Sequence, residues 1–421
     1  GVLVDGTLDE YPQPQADPVV SLSEAEIIAA LGAPIPLMEA ADILSRLGFE
    51  CQVEKETLTA KTPPNRLDIG EGLIGKANLV EEISRVYGYD RIPATRLADE
   101  LPPQVGNTDL AAEENIRDIL VSLGLQDTVA YRQTSPEREA RVNPNRAIDP
   151  DLRYVRIKNP ISPDRTVMRR SSLSTMLELL EYNCKFRPGL ALFELGPVFL
   201  PVEGQQLPNE ARRLSIGLTG LRETPTWQKS SPEEKDFYDL KGVVESLLKG
   251  LHIQDISFQA AQHPSFHPGK CARVLAGGQA LGTLGELHPL VRQNYEFGSI
   301  PVLAAELDAD LLVELGKSEF QNLPISTYPV MVEDIAMIVD EEVRAADLES
   351  VIRQAGGKLL VGVRLFDIYR GEKFGAGRKS MAYQLTYQAY DRTLTDKDAE
   401  TIRNRVVRTL AKQYGAVLRS Q

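Results

Sequence analysis

The stretch from Tyr328 to Arg419 constrains this chain most, because its hydrophobic periods change in one particular order. Ile335-Ala336-Met337-Ile338-Val339, bounded by Asp334 and Asp340, is an apolar run of strand length. Leu348, Val351 and Ile352 then fall on one helical stripe that ends at Gly356-Gly357. Two long alternating segments follow, Leu359 to Arg370 and Lys379 to Asp391, joined by the turn-rich Gly371–Arg378. A second helix opens at Thr395 with Asp398 as its capping-box partner, and its stripe Ile402, Val406, Leu410 keeps a four-residue step. Strand, helix, strand, strand, helix, strand predicts a four-stranded sheet with both helices on one face, the ferredoxin-like βαββαβ plan.

The other face of such a sheet is free to bind something, as in RNA-binding modules of this topology. Charge sharpens that expectation. The chain has a formal net charge of -13, yet Tyr328–Gln421 holds fifteen Lys and Arg against thirteen Asp and Glu, so the remainder sits near -15. Arg364, Arg370, Lys373, Arg378, Lys379 and Arg392 crowd the predicted hairpin, and Arg405, Arg408 and Lys412 share a stripe of the last helix. Tyr369, Tyr383, Tyr387 and Tyr390 are interleaved with the hairpin cations. Cations and aromatics on an open sheet suit a phosphate backbone and unstacked bases. The plainer reading is an ordinary solvated face with the tyrosines in the core. An acidic total argues against a general nucleic-acid binder, so any RNA contact should be local.

Phe366-Asp367-Ile368-Tyr369-Arg370-Gly371, then Lys379-Ser380-Met381-Ala382-Tyr383-Gln384-Leu385-Thr386, then Asp391-Arg392-Thr393-Leu394-Thr395-Asp396 resembles the ferredoxin-fold anticodon-binding domain. That domain closes the β subunit of bacterial-type phenylalanyl-tRNA synthetase. The resemblance implies tRNA(Phe) as the ligand of this region, with the six hairpin cations as the candidate tRNA-binding residues.

At 421 residues the chain is too long for one core and should form two to four domains. Three widely spaced cysteines, Cys51, Cys184 and Cys271, make neither a disulfide framework nor a CxxC metal site, which points to a reducing cytoplasm. No apolar run is long enough for a transmembrane helix, and no signal peptide is evident. The chain starts Gly1-Val2-Leu3-Val4, in what reads as mid-strand, so a portion of a longer protein is expected. Punctuation by Pro and Gly divides the rest. Residues 1–18 read as a short strand and an extended linker, which the resemblance implies is the end of a preceding editing-domain segment. Residues 19–96 read as helices plus a hairpin, a winged-helix-like module. Residues 97–106 form a second linker, and 107–322 a strand-rich antiparallel α/β core. Residues 323–327 lead into the terminal domain, 328–421. The fold class expected is therefore multidomain α+β.

Within 19–96, Asp68 lies in a loop, while Asn78, Glu81 and Glu82 belong to a helix running from about Ala77 to Tyr87. Oxygen ligands converging from loop and helix could hold Mg²⁺. The bland alternative is a solvated helix with Glu81 paired to Arg85 and Glu82 exposed. Arg66-Leu67-Asp68-Ile69 with Leu79-Val80-Glu81-Glu82-Ile83-Ser84-Arg85-Val86-Tyr87-Gly88-Tyr89-Asp90-Arg91-Ile92-Pro93 is similar to the Mg²⁺-carrying domain of the same β subunit. The resemblance implies Asp68, Asn78, Glu81 and Glu82 as ligands of a Mg²⁺ shared with the α subunit. Asn78 stands where the family usually has Asp, and Gly70–Lys76 is longer than usual; both should weaken affinity.

Asn159-Pro160-Ile161-Ser162, Met168-Arg169-Arg170-Ser171-Ser172-Leu173 and Leu192-Phe193-Glu194-Leu195-Gly196-Pro197-Val198-Phe199 resemble the catalytic-like core of that subunit, a class II synthetase fold. An active class II core needs an Arg that clamps the ATP α-phosphate and the amino-acid carboxylate. After Phe199 this chain has Leu200-Pro201, and no later Gly-rich strand leads into an Arg-bearing helix. The core should be a non-catalytic scaffold. The resemblance then implies an α₂β₂ phenylalanine–tRNA ligase in which α performs the ATP-dependent chemistry. Two other classes stay open from the residues alone: a stand-alone RNA-binding or scaffold protein, and an active class II-type ligase on another substrate.

His263, His267, Cys271 and His288 invite a zinc reading. Pro264, Pro268 and Pro289 break any helix that would align them, which favours turns. Asp236 to Gly242 reads as an acidic helix start suited to the dipole.

Overall fold

The computed structural model describes residues 1–95, 105–223, 225–228, 233–317 and 324–419. Residues 97–104 of the expected second linker, and 318–323 around the third boundary, lie outside the described residues. The chain divides into two compact units, Gly1–Gly106 and Asn107–Gln421. Among the described residues no helix is long and apolar enough to cross a membrane.

In the first unit, strand β1 (Val19–Ser23) runs into helix α1 (Glu24–Leu31) through a capping box in which Ser23 and Glu26 satisfy each other's backbone amides. Helix α2 (Leu37–Arg46) follows, then the hairpin β2 (Glu50–Glu54) and β3 (Thr57–Lys61), and helix α3 (Gly72–Tyr87). The three strands pair in the order β1-β3-β2, and Leu22, Ile27, Ile35, Leu44, Leu58, Leu79 and Ile83 close one core against them. Helix α3 begins five residues before the expected start. The reason is Gly75, whose absent side chain lets the first turns lie flush on neighbouring backbone: a Cβ there would meet Gly70 O at 2.3 Å and Val20 at 2.6 Å. Local propensity counts glycine against a helix, and close packing overrides it.

The second unit starts with helix α4 (Thr108–Ser122) and the short strands β4 (Gln126–Asp127) and β5 (Gln133–Thr134). Helix α5 (Pro136–Glu139), strand β6 (Val167–Met168) and helix α6 (Leu173–Asn183) lead into the long pair β7 (Gly189–Leu200) and β8 (Asn209–Gly220). After helix α7 (Phe237–Gly250) come β9 (Ile256–Ala260), β10 (Phe266–Ala276), β11 (Gln279–Leu287), helix α8 (Pro289–Gln293), β12 (Val302–Asp308) and helix α9 (Ala309–Leu315). Seven strands form one sheet in the order β4-β7-β8-β12-β11-β10-β9, antiparallel except at β4–β7. Helices cover both faces. Ile116, Leu120, Leu240, Val244 and Leu247 pack with Leu214, Ile216 and Leu218 on one; Met176, Leu177 and Leu180 pack with Leu190, Leu192 and Ala304 on the other. Gly217 lets α6 approach, since a Cβ there would meet Leu180 at 2.7 Å and Met176 at 2.9 Å. Under this face Arg169 is fully buried, with Nη1 2.9 and 2.8 Å from the two Glu194 oxygens and Nε donating to Pro197 O. An uncompensated charge there would be costly, so this pair fixes how the 168–173 segment seats on β7.

The C-terminal sheet comprises β13 (Met331–Asp340), β14 (Leu360–Tyr369), β15 (Arg378–Tyr387) and β16 (Val417–Leu418), in the order β14-β15-β13-β16. Helices α10 (Ala345–Gly356) and α11 (Asp396–Tyr414) bury Leu348, Ile352, Ile402, Val406 and Leu410 against Ile335, Met337, Val339, Met381 and Leu385. Strand alternation therefore puts both helices on one face, as the sequence pattern predicts. Thr395 and Asp398 form the expected capping box.

Candidate functional site

Alternation along β15 decides which tyrosines can face a ligand. Met381, Tyr383, Leu385 and Tyr387 all point under the helices, and both tyrosines are fully buried. Tyr383 donates its hydroxyl to Ala345 O at 3.0 Å, and Tyr387 lies against Glu333. The expectation that these two interleave with cations on the open face is corrected: their strand parity matches the core residues. Ala382, Gln384 and Thr386 occupy the open face instead, with Arg364 opposite Gln384.

The six expected hairpin cations do not share one environment. Arg370 holds Glu341 through Nη2 at 2.7 Å and Nε at 3.1 Å. Lys379 is buried; its Nζ donates to Glu341 O at 2.6 Å and stands 3.8 Å from the carboxylate. Arg378 pairs with Asp340 at 3.1 Å, and Arg392 pairs with the capping Asp398 at 2.9 and 3.1 Å. The Arg370 guanidinium holds the Glu341 carboxyl below its ordinary range, and Arg392 does the same to Asp398. Arg364 and Lys373 are exposed and make no ion pair among the described residues. The structure adds one cation that pattern reading missed. Arg419 donates its backbone N to Ala336 O and sets its guanidinium 5.4 Å from the Phe374 ring and 6.0 Å from that of Tyr369, which themselves meet edge-on at 5.9 Å. Only the pairing of β16 with β13 brings it there, so periodicity carried no signal for it. On the last helix, Arg405 is partly committed, donating to Gly356 O at the end of α10.

The carboxylates of the first unit are arranged differently. Arg66 reaches both oxygens of Asp68, at 2.8 and 2.6 Å, and its Nη2 also donates to Glu82 at 2.9 Å. Arg85 takes the other oxygen of Glu82. Asn78 Oδ1 accepts from Gly70 N at 3.1 Å, and Glu81 is exposed. Glu82 is buried because it shares the α3 stripe of Leu79 and Ile83; the alternative that pairs Glu81 with Arg85 and exposes Glu82 is thus reversed. Hydrogen bonds from Arg66 hold the Asp68 carboxyl at about 2. Arg66 first, and then Arg85, hold Glu82 below its ordinary value against the opposing effect of burial. Among the described residues no group of three or more His, Cys, Asp or Glu is placed to hold a metal ion. Of the four expected ligands, Asp68 and Glu82 are held by Arg66 and Arg85, Asn78 Oδ1 by Gly70 N, and Glu81 faces outward. Two guanidiniums already balance the two carboxylates, which removes the charge that would draw a hard dication.

The histidines fall on turns. Nδ1 of His263, His267 and His288 accepts from the backbone N of Ser265, Gly269 and Leu290, each two residues on. Asp236 caps α7, with Asp239 completing the box.

Three family models match successive stretches of this architecture. The tRNA synthetase B5 domain matches residues 20–89, the phenylalanyl tRNA synthetase beta chain CLM domain residues 92–309, and the ferredoxin-fold anticodon binding domain residues 326–419. These define a multidomain α+β protein of aminoacyl-tRNA synthetase type, closed by an anticodon-binding ferredoxin fold. The chain belongs to the phenylalanyl-tRNA synthetase β-chain family, whose CLM model alone matches just over half of it. The phenylalanine–tRNA ligase beta subunit of Clostridium acetobutylicum is 34% identical over 423 residues, covering 100% of this chain and 51% of that protein. That of Symbiobacterium thermophilum is 39% identical over 377 residues, covering 86% of this chain and 40% of that protein. That of Listeria monocytogenes is 34% identical over 421 residues, covering 100% and 51%. The chain spans about half the length of the curated relatives it matches.

Proposed function

We propose that this chain is the β-subunit portion of a phenylalanine–tRNA ligase that supports a catalytic α subunit in an α₂β₂ assembly and binds tRNA(Phe) through residues 328–419. The observation that carries the reading is the order of the three domain matches, ending in a sheet whose helix-free face offers Arg364 beside Gln384. Arg364, Lys373 and Arg419 make no ion pair among the described residues and can meet phosphates, and Tyr369 and Phe374 offer rings for bases. Arg370, Arg378 and Arg392 are exposed enough to exchange their carboxylates for phosphates; Lys379 supports the hairpin from within. Residues 19–96 are read as a winged-helix-like module, and 107–322 as a class II-like core that acts as scaffold. Leu200-Pro201 leaves that core without the expected ATP-clamping arginine. ATP is then consumed at α, in the cytoplasm. A Mg²⁺ shared with α stays within the proposal only if α supplies ligands that displace Arg66 from Asp68.

Co-expression with an α subunit followed by sizing tests the assembly, with co-elution expected and separate elution refuting it. The chain alone should catalyse no phenylalanine-dependent pyrophosphate exchange. Its affinity for tRNA(Phe) should fall steeply with salt as counterions are released; a flat salt dependence would place the contact elsewhere.

A further inference from the structure

A cavity of ≈ 540 Å³ opens beside the seven-stranded sheet, outside both charge clusters described above. It is within the size range of small-molecule sites. Two carboxylates from distant parts of the chain converge on one short segment at its wall. Glu139 accepts from Arg170 N at 2.7 Å. Glu306 uses a single oxygen, Oε1, to accept from Ser171 Oγ, Ser172 N, Ser172 Oγ and Leu173 N, at 2.9, 2.6, 2.8 and 3.2 Å. Its second oxygen makes no hydrogen bond among the described residues.

Asp149 and Arg170 also line the cavity; Asp149 accepts from Asp151 N through Oδ1. Arg213 pairs with Asp308 at 2.8 Å, Asp308 also caps α9, and Arg170 donates to Arg153 O. Burial pushes the Glu139 carboxyl up and the His263 imidazole down from their ordinary values. Ser265 also lines the cavity, is fully buried, and its hydroxyl has no partner among the described residues. Leu152, Phe266 and Leu281 supply apolar wall. The deepest groups left open are the second oxygen of Glu306, the Ser265 hydroxyl and an apolar surface. A half-used carboxylate in a recess is charge-deficient, and a charge-assisted N⁺–H···O⁻ bond is the strongest contact that can complete it.

We propose that this cavity binds a small organic cation, a primary ammonium group on a short apolar body, with Glu306 Oε2 as its anchor. No covalent step is involved, and the site is independent of the tRNA-binding reading.

Saturation-transfer NMR on the purified chain with hexylamine, hexanol and hexanoate tests it. Hexylamine should give a signal that hexanoate does not, with hexanol far weaker. Glu306→Gln keeps an oxygen for the 171–173 donors while removing the charge, and should weaken hexylamine binding about tenfold, the worth of one charge-assisted bond. Should that variant fail to fold, shift perturbation of the wild-type chain by hexylamine gives an independent readout, expected at Leu281, Thr283 and Phe266. Equal signals from all three probes, unchanged affinity in folded Glu306→Gln, or perturbation confined to other residues would each overturn the proposal.

Discussion

The two charge clusters expected to await outside partners differ in who already neutralises them. In the first unit Arg66 is largely enclosed, with 22% of its side chain exposed, and Glu82 more so at 9%. On the C-terminal sheet Arg370 and Arg392 keep 59% and 50% of their side chains exposed. An exposed pair contributes at most about 1 kcal/mol, so an incoming phosphate can replace the carboxylate at small cost. An enclosed pair cannot be opened so cheaply, because the stranded partner loses its compensation in a poorly solvated place. The same residue types thus make an exchangeable surface in one domain and a structural clamp in the other.

Removing the clamp should have the largest effect. Glu82→Ala leaves Arg85 unpaired and Arg66 half-used on the enclosed side of α3; a loss of about 2 kcal/mol is expected, below the value for a fully buried pair. Urea unfolding with hydrogen exchange across 62–87 measures it, and a change near zero would erase the distinction between the clusters. Next comes the open face. Arg364→Glu with Lys373→Glu should weaken tRNA(Phe) binding about tenfold or more at low salt and flatten its salt dependence, because neither cation pairs with an acid among the described residues. Filter binding across a salt series checks this, and Arg370→Glu should cost less. A smaller effect has the opposite sign: Glu341→Ala releases Arg370 and should tighten tRNA(Phe) binding roughly twofold to threefold. If it weakens binding instead, Glu341 is holding the hairpin in the binding shape.

Acid sharpens the contrast further. Folding depresses the carboxyl groups of Asp68 and Glu82, so their contribution is fully present above the ordinary carboxylate range. It is lost as pH falls from about 4 through the folded value of about 2 for Asp68. Hydrogen-exchange protection in α3, taken relative to the intrinsic rate at each pH, should therefore fall below about pH 4, and in the Glu82→Ala variant the pH dependence should be shallower.

The fold was legible wherever one period persisted long enough. Ile402, Val406 and Leu410 mark the α11 face, and Ile335, Met337 and Val339 mark the inner face of β13, directly from spacing. Legibility failed where a side chain's role depends on a distant element. Tyr383 and Tyr387 read as ligand-facing aromatics beside cations, yet their even spacing from Met381 and Leu385 already carried the parity that buries them. Arg66 was visible two residues before Asp68, but its reach to Glu82 depends on how the loop folds back onto α3. Arg419 needed the β13–β16 pairing. Sequence displays which groups are charged; it does not display which opposite charge arrives from elsewhere.

The smallest expected effect is the most direct probe of that lesson. The isolated chain should melt at the same temperature, within about 1 °C, in Mg²⁺ and in excess EDTA. A ligand that binds only the folded state raises its stability by mass action, so an occupied Mg²⁺ site would register as a shift. None is expected, because Arg66 occupies both oxygens of Asp68 and one of Glu82, Arg85 takes the other, and Asn78 Oδ1 is engaged by Gly70 N. Arg66→Met turns the experiment around. It leaves Asp68 free and half of Glu82 uncompensated, so the variant should be less stable in EDTA and recover part of the loss in Mg²⁺. A Mg²⁺-dependent shift in the wild-type chain would mean that Arg66 yields to the ion, making the clamp as exchangeable as the hairpin; no recovery in Arg66→Met would mean that these carboxylates lack the geometry for a dication even when freed.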